Sequence, residues 1–301
     1  MADLPAAVFV CRHGEREDYA WANRGENWQA QAERPWDTPL TAAGHLQARA
    51  VGCAVRDVHV PALRCAPVTR IVSSPLLRCV QTACAAAEAL GLTTVGIEPG
   101  LAETMGEDWY RSWGVPGADS TWGGPKHCRA GVIVNDADLD ARALAPAHRC
   151  HSTPADIEAL RLRCAKSDVG AAVTVSAEKA VFGGDAFQYT FKAPEAEEAQ
   201  AARMRAVLDA CASLKGGSTL LVSHGGPTAG LYHGVAHEKP PNCGYTGLFC
   251  YVSENDAWHA VIVADHAHLE GIDAPKCGMH DFAEQFEEEA AADARREPDD
   301  S

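Results

Sequence analysis

The segment Arg12-His13-Gly14-Glu15-Arg16 holds the residues whose types and spacing point most directly to chemistry. Two arginines flank one histidine, and because cations repel one another we expect an anion to bind among them. Arginine presents a planar fork of donors that matches phosphate oxygens, and it stays charged at any working pH. The segment therefore predicts a phosphate-binding site that contains a nucleophilic imidazole. The alternative is a surface histidine between solvated arginines.

The apolar residues before this segment indicate where it lies in a fold. A buried strand from Ala6 to Cys11 would end at the sheet edge where α/β proteins bind their ligands. Gly14 would let the backbone turn closely around the bound group. We therefore expect His13 at the junction between a central strand and a loop.

Three further motif-like segments follow Arg12–Arg16 (RHGER) along the chain. They are Asp37–Ala48 (DTPLTAAGHLQA), Ser73–Ala83 (SSPLLRCVQTA) and Leu220–Gly225 (LLVSHG). With RHGER they resemble the motifs of the histidine phosphatase superfamily, branch 1, the phosphoglycerate mutase-like enzymes. The resemblance extends over most of the chain. It implies an α/β fold, a three-layer α/β/α sandwich with a mixed, mainly parallel sheet and a lid insertion.

Finer features are similar to one group of that superfamily. RHGER followed by Asp18 differs from the mutases, which carry serine and asparagine after the first RHG, and from the histidine acid phosphatases. Ile97–Glu103 and Gly244–Cys250 resemble the Sts/TULA-type phosphatases, a group that includes ecdysteroid-phosphate phosphatases and a small subunit of transcription factor IIIC. No ubiquitin-binding or SH3 portion precedes the match, so we expect the phosphatase domain alone.

The resemblance implies a metal-independent phosphomonoester hydrolase with a phosphohistidine intermediate on His13. The phosphate-binding residues would be Arg12, Arg16, Arg78 and His224. Neighbouring arginines should also keep His13 neutral, as a nucleophile must be, because the ordinary histidine pKa lies near ~6.5. His224 would stabilise charge in the transition state. The alternative is a structural histidine that is buried and hydrogen-bonded in the core.

A carboxyl group must donate a proton to the leaving oxygen and later accept one from water. Glu103 is the candidate, because Gly100-Leu101-Ala102-Glu103 resembles the G-L-x-E element of the Sts-type group. That group has tryptophan next, whereas this chain has Thr104, which puts the local pocket and substrate choice in question. Glu107 and Asp108 are rivals, and Glu15 is expected to be structural.

Apolar periodicity and turn residues predict the elements that position these groups. Tyr19 to Trp36, with three tryptophans, is expected to form a long loop over the site. The predicted helices run from Thr41 as cap to about Val55, from Pro75 to Gly91, and from Glu195 to Leu214. The predicted strands are Arg70–Ser73, Thr94–Glu98, Thr219–Ser223, Thr246–Val252 and Ala257–Val263. We divide the chain into a phosphatase domain at 1–282, with a lid or cap at 106–192, and an acidic tail at 283–301.

Composition limits the classes of partner. A formal net charge of −15 disfavours general binding to nucleic acid or acidic membranes. The 12 cysteines form no C-x-x-C pair, and no signal peptide or spanning segment is visible, which favours a soluble cytoplasmic or nuclear protein with reduced thiols. The expected partner is a phosphomonoester substrate, either a small molecule or a phosphotyrosine protein. A homodimer is an open alternative, and we expect no cofactor.

Two other classes of function are alternatives to a phosphomonoester hydrolase. A metal enzyme would use histidine pairs at ligand spacing, namely His148/His151, His233/His237 and His266/His268, but none forms a complete set with a carboxylate or cysteine. A noncatalytic phosphate-binding or scaffolding protein would fit the transcription-factor relative and the acidic tail. A phosphoglycerate mutase-type phosphotransferase is a further alternative within the superfamily.

Overall fold

The fold is built on one mixed β-sheet. The computed structural model describes residues 4–28, 32, 38–74, 76–104, 148–149, 174–176, 190–191 and 196–272. The strands of this main sheet are β1 (Ala7–Arg12), β2 (Val68–Ser73), β3 (Thr94–Ile97), β5 (Thr174–Ser176), β7 (Ser218–Ser223), β8 (Leu248–Glu254) and β9 (Ala257–Asp265). β4 (His148–Arg149) and β6 (Thr190–Phe191) pair separately, antiparallel to each other.

The strand order in the main sheet is β5-β3-β2-β7-β1-β8-β9. The first five strands in this order are parallel to one another. At one edge, β8 pairs antiparallel with β1, and β9 pairs antiparallel with β8. β1 and β7 lie side by side in the centre with Arg12 opposite Ser223. The carboxyl ends of these two strands therefore meet at the sheet edge where α/β proteins place their ligands.

Helices cover both faces of the sheet. The described α-helices are α1 (Glu17–Ala22), α2 (Ala42–Ala54), α3 (Val60–Leu63), α4 (Leu77–Leu90), α5 (Glu197–Ala212) and α6 (Gly225–Ala236). A π-helical turn at Val55–His59 joins α2 to α3, and short 3-10 helices lie at Pro99–Leu101 and Ala267–Leu269. α2 packs on α4, and α5 packs on α6. Phe9 and Leu220 belong to the core on one face and Val10 and Leu221 to the core on the other, because side chains alternate along each strand. The predicted three-layer α/β architecture is confirmed.

Local sequence signals explain several boundaries. The Thr41 hydroxyl accepts a hydrogen bond from the Gly44 N–H at 2.9 Å, which caps α2 as predicted. Gly91 ends α4 with a φ of 71°, a conformation that glycine adopts without steric cost. The other predicted strands and the helix after 195 lie within a few residues of their expected bounds.

One prediction needs correction, and one helix had not been predicted. Tyr19 to Trp36 was expected to be a loop, but its first residues belong to α1, where Glu17 and Asp18 occupy the first turn and the Trp21 indole donates to Glu17 at 3.0 Å. Acidic residues in the first turn stabilise the N-terminus of a helix, and this explains why a helix forms here. The sequence also gave no separate indication of α6, a helix with four glycines in its twelve residues.

Other predictions fall largely outside the described residues. The lid at 106–192 is described only at β4, β5 and β6, and the acidic tail at 283–301 is not described. In the described part of the chain, no helix combines the length and apolar character that crossing a membrane requires.

Candidate active site

His13 is fixed by backbone contacts to three neighbouring elements. Its N–H donates to the Ser223 carbonyl at 3.0 Å, and its carbonyl accepts from the Thr246 N–H at 3.2 Å. The following N–H, that of Gly14, donates to the Thr82 hydroxyl on α4 at 3.1 Å. A Cβ at position 14 would lie 2.5 Å from the Gly44 carbonyl oxygen, so only glycine fits this turn. His13 is consequently buried, with 1% of its surface exposed.

A short contact determines which nitrogen of His13 carries the free lone pair. Nδ1 lies 2.7 Å from the carbonyl oxygen of Gly14. Because a carbonyl only accepts hydrogen bonds, Nδ1 carries the hydrogen and the lone pair of the neutral ring is on Nε2. Burial, followed by the charges of Arg78, Arg12 and Arg16, lowers the His13 pKa well below its ordinary value, although the Gly14 contact raises it. The imidazole is therefore neutral at physiological pH.

Three buried guanidinium groups lie around this imidazole. Arg12 donates to the Cys243 carbonyl at 2.8 Å, and its guanidinium carbon lies 4.7 Å from the centre of the Tyr245 ring. The Nε atom of Arg12 is buried and has no hydrogen-bond acceptor among the described residues. Arg12 thus retains a donor for an anion.

Arg16 and Arg78 are held by different contacts. The Nε atom of Arg16 donates to Asp18 at 2.6 Å, and its guanidinium carbon lies 4.2 Å from the centre of the Tyr19 ring. Arg78, in the first turn of α4, is fully buried and lies 3.8 Å from the Glu103 carboxylate. Its backbone carbonyl accepts a bond from Thr82, the same hydroxyl that holds Gly14. Helix α4 therefore positions both Arg78 and the loop of His13.

His224 directly follows β7 and caps α6, and its ring lies beside that of His13. The two ring centroids are 5.3 Å apart, with the planes at 67°. Nε2 of His224 lies 2.8 Å from the Ser74 hydroxyl and 3.3 Å from the Cys79 sulfur. Burial, followed by the charges of Arg78, His13, Arg16 and Arg12, lowers the pKa of His224 well below its ordinary value.

Glu103 is the described carboxylate that reaches both a histidine and an arginine of this site. Its Oε2 lies 3.4 Å from Nδ1 of His224 and 3.8 Å from Arg78, while Oε1 accepts from the Thr104 N–H at 3.1 Å. The Glu103 side chain is 22% exposed, so it contacts the buried site and water together. A carboxylate in this position can exchange protons between the two.

The other acidic candidates differ in placement. Glu15 accepts from the Thr41 hydroxyl at 2.6 Å, and its N–H donates to Gln47, so it has the structural position expected of it. Glu107 and Asp108 lie outside the described residues. The structure thus brings His13, His224 and Glu103 together with the three arginines.

Several residues near the site were not singled out by sequence reasoning. Tyr245 was noted only as part of a motif, yet its ring supports Arg12 and lies 6.2 Å from the His13 ring. Ser74 and Cys79 contact His224, and their neighbours in the SSPLLRC motif were the available signal. Arg203 donates to backbone carbonyls near Glu103 from α5, and nothing in its local sequence marks that role.

The histidine pairs considered as metal ligands have other surroundings. Nδ1 of His233 contacts the Glu238 carbonyl at 3.0 Å, and Nε2 of His268 contacts the Thr246 hydroxyl at 2.9 Å. His151 is not among the described residues. Within the described ranges, no three His, Cys, Asp or Glu side chains form a group that could hold a metal ion.

Part of the chain is similar to known proteins. Residues 8–113 match the model of the Histidine phosphatase superfamily (branch 1). The ecdysteroid-phosphate phosphatase of Drosophila melanogaster is 31% identical over 140 residues, covering 36% of this chain and 17% of that protein. The ubiquitin-associated and SH3 domain-containing protein A of Mus musculus is 30% identical over 178 residues, covering 50% of this chain and 26% of that protein.

These relatives are much longer than the matched region, since the chain covers 17% of one and 26% of the other. A solved structure of the ecdysone phosphate phosphatase from Bombix mori, in complex with tungstate, has a TM-score of 0.47 and 19% identity over 90% of this chain and 93% of that chain. The residues that match the family model include Arg12, His13, Arg16 and Arg78. Residues 8–113 are therefore similar to the histidine phosphatase superfamily, branch 1.

Proposed function

We propose that this chain is a phosphatase that hydrolyses phosphomonoesters through a phosphohistidine on His13. The observation that carries the proposal is a buried, neutral imidazole whose Nδ1 is occupied by the Gly14 carbonyl, among three buried arginines. A lone pair on Nε2 is what attack on phosphorus requires. The ecdysteroid-phosphate phosphatase activity named for the Drosophila relative supports the same reaction class.

In the first step, Nε2 of His13 forms a bond to phosphorus and the ester P–O bond breaks. The protonated Glu103 carboxyl group gives its proton to the departing oxygen, which leaves as an alcohol. In the second step, water attacks phosphorus and gives a proton to the Glu103 carboxylate. The P–N bond then breaks, phosphate leaves and the lone pair returns to Nε2.

Arg12, Arg16 and Arg78 have the charge and the burial needed to hold the phosphoryl oxygens. Uncatalysed hydrolysis of phosphate monoesters is so slow that enzymes accelerate it by up to ~10²¹-fold, and charge neutralisation in a dry site is a large part of such catalysis. The fixed partners of Arg12 and Arg16, namely Cys243 and Asp18, orient their guanidinium groups before substrate arrives. His224 would donate to the same oxygens as negative charge develops.

We further propose a reducing compartment of the cell as the site of action. All eight cysteines among the described residues are free thiols, and seven of them are buried in the two cores of the domain. Buried thiols of this kind fit a protein that remains in a reducing environment.

Turnover of a panel of phosphomonoesters by the purified chain tests the proposal. Aryl, alkyl, steroid, sugar and phosphotyrosyl phosphates should be compared, with free phosphate and alcohol both quantified. We expect release of phosphate by the wild type and its loss in His13→Ala. His259→Ala is the matched control, because His259 is exposed on β9 at the far edge of the sheet.

Other outcomes would point to other classes. Tight phosphate or tungstate binding without turnover would indicate a noncatalytic phosphate-binding protein. Transfer of the phosphoryl group to a second alcohol in preference to water would indicate a phosphotransferase. Either result contradicts the hydrolase proposal.

A further inference from the structure

The segment that carries Glu103 is held by an arginine from helix α5. Arg203 donates through one terminal nitrogen to the carbonyls of Gly100 and Ala102, at 2.6 and 3.0 Å. Its other terminal nitrogen lies 3.5 Å from the carbonyl of Glu103 itself. Arg203 is 7% exposed, so these bonds are shielded from water. A single guanidinium group thus contacts three carbonyls within four consecutive residues.

The same helix also holds the residue after Glu103. Gln200 lies one turn before Arg203, on the same face of α5, and its amide donates to the Thr104 hydroxyl. A Cβ at Gly230 would lie 2.6 Å from the Gln200 side-chain oxygen, so the glycine on α6 leaves room for this contact. Ser223 adds a bond from its hydroxyl to the Leu101 carbonyl at 2.7 Å. The segment is therefore held on both sides of Glu103, through backbone carbonyls before it and through the Thr104 side chain after it.

The Glu103 side chain itself has weaker anchors. Its contacts with His224 and Arg78 are 3.4 and 3.8 Å long, and its remaining bond is to the adjacent Thr104 N–H. Side-chain contacts of this length do not by themselves define the position of a carboxyl group. The backbone of residues 100–103 must supply that definition, and Arg203 holds this backbone through its carbonyls.

We propose that Arg203 is a positioning residue for Glu103, acting through the carbonyls of the 100–103 segment. This inference rests on the proposed function, in which Glu103 exchanges protons with the leaving oxygen and with water. Arg203 lies in α5, packed behind the segment, and acts on the reaction only by fixing where the Glu103 carboxyl lies. Losing this constraint should therefore impair proton transfer and leave phosphate binding by the arginines intact.

The test compares Arg203→Met and Arg203→Lys on an alkyl phosphate and on p-nitrophenyl phosphate. Misplacement of a catalytic group by about 1 Å can cost ~10²-fold, so we expect kcat on the alkyl phosphate to fall about 10- to 100-fold in Arg203→Met. The good aryl leaving group needs little acid assistance, and its phosphorylation step should change by less than about threefold. Arg203→Lys keeps the charge but lacks the fork, so its loss should be intermediate.

Controls separate positioning from general damage. Arg205→Met removes an arginine from the exposed side of the same helix, where it pairs with Asp209 at 2.9 Å, and should leave both rates unchanged. In a Glu103→Gln background, Arg203→Lys should cause no further loss on the alkyl phosphate, because the two residues act as one unit. Thermal unfolding identifies any variant that fails to fold, and if Arg203→Met does so, Arg203→Lys carries the comparison.

Equal losses in the phosphorylation step on the two substrates, or a full additional loss in the Glu103→Gln background, would overturn the inference. The inference would also be wrong if the Ki for inorganic phosphate rose by the same factor as kcat on the alkyl phosphate fell, because that result would place Arg203 in phosphate binding. A wild-type chain without turnover contradicts the proposed function and this inference with it. Wild-type turnover with uniform losses contradicts only the inference.

Discussion

His13 and His224 lie side by side because the parallel register of β1 and β7 pairs Arg12 with Ser223. Each histidine is the next residue after its strand, and the two rings lie 5.3 Å apart. Sheet hydrogen bonds thus fix the distance between two groups that are remote in the sequence. In the proposed function, this distance lets the His13 nucleophile and the His224 imidazole contact the same phosphoryl group.

The first prediction concerns the covalent intermediate. Mixing wild-type protein with substrate and quenching in denaturant at alkaline pH should trap one phosphoryl group on His13, since P–N bonds are labile in acid. Peptide mass spectrometry should locate the group. His13→Ala should yield no phosphorylated histidine. A phosphoryl group found on His224 would reverse the roles that we assign to the two imidazoles.

The second prediction separates the two proton transfers assigned to Glu103. Glu103→Gln should lower kcat on an alkyl phosphate by about 10²- to 10⁴-fold, the usual range for general acid catalysis. The phosphorylation step with p-nitrophenyl phosphate should be less affected, while hydrolysis of the trapped intermediate should slow. Rapid-quench kinetics measures both steps. Small, equal losses on the two substrates would exclude Glu103 and direct attention to Glu107 or Asp108.

The third prediction concerns phosphate binding by Arg78. Arg78→Lys keeps a positive charge but loses the fork that matches two phosphoryl oxygens, so the Ki for inorganic phosphate or tungstate should rise about 10- to 100-fold. Titration calorimetry gives the affinity directly. Arg49→Lys is the matched control, because the Arg49 side chain is 61% exposed and should leave binding unchanged. An unaltered affinity in Arg78→Lys would contradict the proposed contact.

The fourth prediction concerns stability at acidic pH. Burial lowers the pKa of His268 from 6.5 to about 4, against an opposing effect of Asp265, while His266 and His59 lower it further. As pH falls below 6.5, the unfolded chain binds a proton on His268 that the folded chain does not, so stability decreases until about pH 4. The loss from one such group is at most about 1.4 kcal/mol for each pH unit.

His268→Gln removes the titrating imidazole, so Tm should decrease less between pH 6.5 and 4 than it does in the wild type. Part of the slope should remain, because the pKa values of His13 and His224 are also lowered. Thermal unfolding followed by circular dichroism across this range provides the measurement. If Tm falls with pH equally in the wild type and the variant, His268 has the same pKa in the folded and unfolded states, and the prediction is wrong.

The fifth prediction concerns metal ions. Three buried arginines supply the positive charge that a metal supplies in other phosphatases, so activity should persist after dialysis against EDTA. Added Mg²⁺, Mn²⁺ or Zn²⁺ should change kcat by less than about twofold, whereas vanadate or tungstate should inhibit by occupying the phosphate site. Loss of activity in chelator, with recovery on adding one divalent ion, would reject this mechanism.

The sequence by itself determined the features that depend on neighbouring residues. The apolar run before His13 predicted β1, Thr41 predicted the start of α2, and Gly91 predicted the end of α4. The RHGER, SSPLLRC and LLVSHG segments pointed to His13, Arg78 and His224 through a resemblance that needs only the order of short motifs. Such signals are local, because strand burial, capping and left-handed glycine conformations are properties of a few adjacent residues.

Only the tertiary structure decided how those groups meet. The Gly14 carbonyl occupies Nδ1 of His13 and leaves the lone pair on Nε2. The β1–β7 register places His224 beside His13, and the turn after β3 brings Glu103 to both His224 and Arg78. The contact of Arg203 with the Glu103 segment joins residues about one hundred positions apart and has no local signature. Long-range contacts depend on how sheets and helices pack, and no short stretch of sequence encodes that packing.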